Sequence, residues 1–297
     1  MELRHLEHFL TLAEELNFTR AAARMNLVQS ALSVSIRNLE KDLGAILFDR
    51  TTHGVSLSRS GEALLPEARR VLRDADAARD AVAAVRGVVR GPLRIGIMQS
   101  LTLIDAAGLF ATFHREHPDV VIQPRPPVGS SVGLVDQVRR GDLDLALTWQ
   151  PEGRTPDLRV ATLAREPFVL VAPATRRLPD ADLTLADLDG EEFVEFPVGW
   201  GARTVTDCAF LAGGIGRTVA VEVADVHTCT ELVRAGFGIA IMPRSLVVRT
   251  AGLTLRRITG LPEWGVSLVT SRTRPLTAAG SAFAHLACET FGTALHG

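Results

Sequence analysis

The chain has 297 residues, 46% of them hydrophobic, with a formal net charge of −2 and three cysteines. That length exceeds what a single hydrophobic core usually serves, so two or more packed units are expected, and no run of about 18 apolar residues offers a membrane span. The near-neutral charge gives no compositional reason to expect a nucleic-acid partner; Cys208, Cys229 and Cys288, odd in number and widely spaced, suit neither a disulfide framework nor a zinc motif and are read as buried thiols. The start, MELRHLEHFLTLAEELNF, carries acids where a signal peptide needs a basic end and a clean apolar run, which reads as a soluble, cytoplasmic protein without a membrane partner.

In chain order, Leu3, Leu6, Leu10, Ala13 and Leu16 recur at helical spacing and predict an amphipathic helix over 3–16. A turn at Asn17 follows, and Thr19 is the expected cap of a short second helix through Ala21, Ala22 and Ala23, whose small side chains allow close helix approach. From Gln29 to Leu43 a third helix is predicted by Leu32, Ile36, Leu39 and Leu43, with Gly44 at the position of a left-handed C-terminal cap. Its other face is expected to carry Gln29, Ser30, Ser33, Arg37 and Lys41. Two helices joined by a tight turn, the second presenting such side chains, suit a reader of the DNA major groove. Residues 47–57 read as two short strands around a turn, a wing that would bring Arg50 and His53 to a phosphate backbone.

The run FTRAAARMNLVQSALSVSIRNLEKDLGAILFDRTTHGVSLSRSGEALL resembles the winged helix-turn-helix of LysR-type transcriptional regulators through its paired alanines, QxALSxxIRxLE, LGxxLFxR and xLSxSGE. The resemblance implies DNA contacts from Thr19, Arg20, Gln29, Ser30, Ser33, Arg37, Arg50 and His53. The chain departs from the family pattern at Val28 and Ser30, where serine and proline are usual, and at Val34 and Ser35, where arginine or glutamine often stand. Val28 has no side-chain oxygen with which to cap the helix.

Beyond Ser60, the positions Leu64, Ala68, Val71, Ala75, Ala78, Val82 and Val85 form a sustained heptad seam. A helix of about 27 residues projects about 40 Å, so pairing with a second copy is the economical way to cover that stripe. The family resemblance places its dimerising linker helix here. Gly87, Gly91 and Pro92 then mark a boundary, after which short apolar runs alternate with helical stretches, an α/β pattern.

GPLRIG, RRGDLDLAL and LVRAGFGIAIMP resemble the effector domain of the same family, related to type 2 periplasmic binding proteins. The implied fold is α + α/β: a winged helix-turn-helix over 1–59, a linker helix and hinge over 60–90, and a two-lobed effector domain over 91–297. Lobe I would comprise 91–162 and 269–297, lobe II 163–268, with a ligand in the cleft between them. Ser100 and Thr102, expected at the start of a helix near Leu103, would meet an anion with free backbone N–H groups. Trp200 and Arg203 in GWGART, His227 in DVHT and Ser130 complete the expected effector set. These groups favour a small carboxylated molecule, and no cofactor or metal is called for.

Gly129–Gly133 matches the GxSxG pattern of serine hydrolases, but Pro124, Pro126 and Pro127 make a poor preceding strand, and the chain is not read as an enzyme. A solute-binding protein is the other alternative that the two-lobed domain suggests. The expected partners are double-stranded DNA, an effector and a second or further copy of the chain, as homodimer or homotetramer.

Overall fold

The computed structural model describes residues 1–51, 54–84, 89–127, 131–149 and 155–296. The chain divides into two compact units, Met1–Val88 with Arg140–Asp142, and Val89–Arg139 with Leu143–Gly297.

The first unit begins with α1 (Leu3–Glu15), α2 (Phe18–Arg24) and α3 (Gln29–Leu43). The hairpin β1 (Phe48–Thr51) and β2 (Gly54–Leu57) follows, and then α4 (Arg59–Ala84). Leu6, Phe9 and Leu12 of α1, Ala21 and Ala22 of α2, Leu32, Ile36 and Leu39 of α3, and Leu47, Phe48 and Ala68 share one buried core. Ala21 and Ala22 are buried as their size suggested, whereas Ala23 is exposed. The N-cap of α2 is Asn17 rather than Thr19: the Asn17 carboxamide oxygen accepts the N–H groups of Thr19 and Arg20 at 2.9 and 3.0 Å. Asparagine is a strong capping residue, and its place immediately before Phe18 leaves Thr19 inside the first turn.

The family motifs have local structural roles. Glu40 accepts the backbone N–H of Leu47 at 2.9 Å and of Phe48 at 3.4 Å, tying α3 to the first wing strand. Ser58 donates its hydroxyl to the Ile46 carbonyl at 2.6 Å and accepts the N–H of Gly61 at 3.1 Å, which fixes the start of α4. α3 ends on Gly44 with φ 65°, and Val28 caps nothing with its side chain.

The heptad seam divides along α4. Ala68 is buried in the first unit's own core, with Leu64 and Val71 packed against it, so the first half of the seam covers its own domain. Ala78 and Val82 are exposed, while Val85 lies outside the described residues. The part of the stripe that its own core leaves free is therefore the second half alone.

The second unit runs β3 (Gly91–Ile97), α5 (Ala106–Glu116), β4 (Val120–Arg125), α6 (Ser131–Arg140), β5 (Leu145–Thr148), β6 (Leu158–Glu166) and β7 (Phe168–Pro173). It continues with β8 (Glu192–Glu195), α7 (Gly201–Gly213), β9 (Thr218–Glu222), α8 (Val226–Arg234), β10 (Ala240–Pro243), β11 (Leu253–Arg257), β12 (Trp264–Ser271) and α9 (Ala278–Thr290). One sheet has the order β4-β3-β5-β12-β6, parallel around β3 and antiparallel around β12. The other lobe holds the antiparallel β10-β7-β11 and the parallel pair β8-β9, joined through the bridge Phe193↔Ile239. Because β6 and β12 pair along their whole length, from Leu158↔Ser271 to Glu166↔Trp264, the chain passes between lobes at Pro167 and just before Trp264. That crossing is a few residues beyond the expected 162 and before the expected 269. Among the described residues no helix is long and apolar enough to cross a membrane.

Gly61 shows how closely α4 is seated. A Cβ at this position would fall 2.2 Å from the Leu47 carbonyl oxygen, a backbone atom that β1 and Glu40 hold in place. Gly61→Ala is expected to destabilise the chain by about 1–3 kcal/mol through overpacking. Urea unfolding of the full-length variant beside the parent measures it, and an unshifted midpoint would contradict this packing.

Candidate functional site

Two surfaces concentrate chemistry: the outward face of α3 and a cleft in the second unit. On α3 the buried stripe is broad, because the helix packs on both α1 and α2. It takes in Ser33 and Ser35 beside Leu32, Ile36 and Leu39. Ser33 is only 9% exposed, which corrects its expected place on the outward face. Ser35 is bound to the His8 ring nitrogen Nδ1 at 2.6 Å, and burial holds that imidazole below its ordinary pKa. Gln29, Ser30, Val34, Arg37, Asn38 and Lys41 remain exposed, and Leu43, expected in the core, is exposed as well. Arg37 donates Nε–H to the Ser33 carbonyl at 3.3 Å, which anchors its stem along the helix. Thr19 and Arg20 are exposed at the start of α2, where Arg20 donates to the Glu15 carbonyl at 2.6 Å. Arg50 lies in β1, and His53 is outside the described residues.

The cleft forms where β3 ends. Met98, Gln99 and Ser100 leave the strand, with Ser100 in the left-handed region at φ 57°. Opposite them stand the starts of α7 and α8. A narrow inner pocket of about 40 Å³ is lined mainly by Met98, Phe196, Trp200, Gly201, Leu246 and Trp264. Phe196 and Trp200 stack at 5.2 Å, and Trp149 stacks on Trp264 at 5.8 Å, so all three tryptophans of the chain gather here. Gly201 admits this closeness, since a Cβ there would lie 2.9 Å from the Trp264 ring. An outer cavity of about 490 Å³ adjoins it through Ser100, Val226 and Leu246, and is rimmed by Thr102, Asp225, His227, Thr230, Glu231 and Arg249.

Ser100, Thr102, Trp200 and His227 thus line the cleft as expected, while Ser130 falls outside the described residues. Two expectations are corrected. α5 begins at Ala106 rather than near Leu103, and the Asp105 carboxylate accepts the Gly108 N–H at 2.8 Å. An acid already occupies that helix start, so it offers an anion no free end. Thr102 is instead bound to the Ser245 hydroxyl at 2.9 Å, and Ser245 gives its proton to Glu166 at 2.6 Å, which leaves Thr102 as donor. This chain of hydrogen bonds links the two lobes beside the cavity.

Arg203 is the second correction. It lines neither cavity. In the first turn of α7, it donates to the Phe196 carbonyl at 2.9 Å and to Asp207 at 2.7 Å, beside the buried pair Arg217 and Glu195 and with the exposed Glu222 at 3.6 Å. Arg217 meets Glu195 at 2.8 Å and lies over the Phe210 ring at 4.6 Å. Desolvation pushes the Glu195 carboxyl up against the pull of Arg217 and Arg203, and pushes the Arg217 guanidinium down. Cys229 is buried, its thiol pushed up to about 12 by desolvation, whereas Cys208 is exposed on α7, against the reading of all three as buried. Sequence reasoning missed Phe196, Trp264 and Arg249. Phe196 sits one helical turn's spacing before Trp200, a usable signal; Arg249 follows Val247 and Val248 in a segment with no motif.

A winged helix-turn-helix followed by a long helix and a two-lobed sensor defines a DNA-binding regulator with an effector-binding domain. A family model for the bacterial regulatory helix-turn-helix protein, lysR family, matches residues 3–62, and one for the LysR substrate binding domain matches 86–292. The chain is 36% identical over 246 residues to the HTH-type transcriptional regulator ShiR of Corynebacterium glutamicum (strain R), covering 81% of this chain and 82% of that protein. A full-length point variant of OxyR from Pseudomonas aeruginosa superposes with a TM-score of 0.73 at 25% identity, covering 97% of this chain and 95% of that one. Full-length CbnR complexed with its target DNA superposes with a TM-score of 0.68 at 25% identity, covering 98% and 100%. The chain belongs to the LysR family of transcriptional regulators.

The buried charge cluster yields a test. Arg217→Met leaves Glu195 without its nearest counter-charge and should cost about 3–5 kcal/mol at neutral pH. A carboxyl whose folded pKa is raised makes the native state bind the extra proton, so stability falls as pH rises through that window. The deficit of the variant is therefore expected to shrink between pH 7 and pH 5 in denaturant titrations; a pH-independent deficit would contradict the assignment.

Proposed function

We propose that the chain acts in the cytoplasm as a homo-oligomer that reads double-stranded DNA through α3 and its wing, under the control of a small molecule held in the cleft of the second unit. The observation that carries the first part is the exposed polar face of α3, presented by a fold that superposes on a LysR-family regulator solved with DNA. Gln29, Ser30 and Arg37 are the base-reading and phosphate candidates on that face, with Thr19, Arg20, Arg50 and His53 as backbone contacts. Ser33 leaves this set because it is buried. The GxSxG run is given no catalytic role, and the reading is that of a regulator rather than an enzyme.

The cavity lining supports a small effector with an apolar end and a polar end. Its apolar end enters between Trp200 and Trp264, and its polar end meets Ser100, Thr102, His227 and Arg249. Asp225 and Glu231 share that rim, so a ligand bearing both donors and acceptors fits the lining better than a simple carboxylate. A ligand changes DNA binding only through a difference in affinity between two arrangements of the protein, and the Thr102–Ser245 bond across the lobes is one contact such a ligand would alter. A thermal-shift screen of organic acids, amino acids and neutral aromatic compounds, followed by tryptophan fluorescence, tests it. A true effector is expected to raise the melting temperature with concentration and to change emission in the parent, with Trp200→Leu binding at least ten-fold weaker. An effector with unchanged affinity for that variant would place the site elsewhere.

Dimerisation is assigned to the second half of the α4 seam, Ala75, Ala78, Val82 and Val85, with Leu64, Ala68 and Val71 serving the domain's own core. Val82 is 66% exposed in the single chain, so Val82→Asp is expected to dissociate the assembly at low micromolar concentration while the melting of the first unit is retained. Light scattering at the parent's mass would refute this division.

A further inference from the structure

We infer that Val34 reads the C5-methyl group of thymine in the major groove, which makes it a sequence-determining residue of this chain. The inference rests on the DNA-reading role of α3 proposed above. Leu32, Ile36 and Leu39 are fully buried, and at about 100° per residue the position diametrically opposite them is 34. Val34 is 48% exposed at the centre of the outward face, with Ser30 one turn before it and Arg37 and Asn38 one turn after.

Of the exposed residues around it, Ser30, Arg37 and Asn38 carry hydrogen-bonding groups, whereas Ala31 and Val34 carry none, and of those two the valine presents the larger apolar side chain. In the major groove the base edges present donors and acceptors, and the one prominent apolar feature is the thymine methyl. Set against a donor or acceptor edge, a valine displaces water from that edge and returns no hydrogen bond, which is penalised. Set against a thymine methyl, the two groups remove each other from water. The same position thus favours thymine and disfavours the other edges. In an assembly with two recognition helices, one such thymine belongs to each half-site.

The test uses the full-length protein. A pool of randomised duplexes is selected for binding, and the enriched sequence is resynthesised with uracil replacing thymine at one position at a time, which removes only the methyl group. Affinities are read by fluorescence anisotropy for the parent, Val34→Ala and Val34→Thr. At one thymine per half-site the parent is expected to lose about four-fold on replacement, the effect of about one buried methyl group. Val34→Ala should be indifferent to that replacement, and Val34→Thr, which keeps a methyl, should retain part of it. Equal uracil sensitivity in parent and Val34→Ala at every position, or an enriched half-site without thymine, overturns the inference while leaving DNA reading intact. A pool that yields no enriched sequence overturns the DNA-reading role and this inference with it.

Discussion

The burial of one apolar stripe of α3 governs the DNA-binding unit. Leu32, Ile36 and Leu39 are held against α1, α2 and the wing base, and the rotation of the helix about its axis is thereby fixed. Everything the helix offers outward follows from that rotation, including the exposure of Val34 and the withdrawal of Ser33. Glu40 extends the constraint into the wing by binding two successive backbone N–H groups, and Ser58 carries it on to the start of α4. α4 then returns Leu64, Ala68 and Val71 to the same core before it departs. A long helix anchored by its first half carries its second half in a defined direction.

In the second unit, charge serves the architecture and the cleft is left largely uncharged at its floor. Arg203 and Arg217 hydrogen-bond or ion-pair with the Phe196 carbonyl, Asp207 and Glu195 inside the lobe that bears α7. Such buried groups are costly unless paired, and removing one partner costs more than the pair contributes. By engaging both guanidiniums, the lobe fixes the segment from Phe196 to Trp200 and thereby sets the aromatic wall of the inner pocket. The polar groups left for a ligand are hydroxyls and the rim residues of α8 and the loop at Arg249.

The two lobes are joined by more than their crossing strands. Glu166, at the end of β6, holds Ser245 through both its N–H and its hydroxyl, and Ser245 in turn receives Thr102. A buried carboxylate at the crossing point is satisfied by this arrangement, and the cavity wall on one side is continuous with that crossing. A molecule that competes for Thr102 acts directly on the contact between lobes, which is a physical route from binding to a change of arrangement.

Periodicity in the sequence by itself determined the three N-terminal helices, the wing, the linker helix, and the α/β alternation of the sensor. These are local patterns, and a helix or strand must bury whichever side is apolar. The strand-to-helix pattern pointed to Ser100 and Thr102, and the family resemblance to the loops of Trp200 and His227, as parts of the cleft. Tertiary structure alone decided the rest. Whether the heptad stripe faced its own domain or a second copy depended on where the core ended, and that lies in the packing of Ala68. Asn17 displaced Thr19 as a cap, and Asp105 took a helix start that had been assigned to a ligand, because capping is settled by where the first turn forms. Arg203 was drawn from the cleft by Asp207 and a backbone carbonyl. The direction in which a long charged side chain turns is set by the partners that folding brings within reach, and residues such as Glu195 and Arg217 meet only when strands distant in the chain are placed side by side.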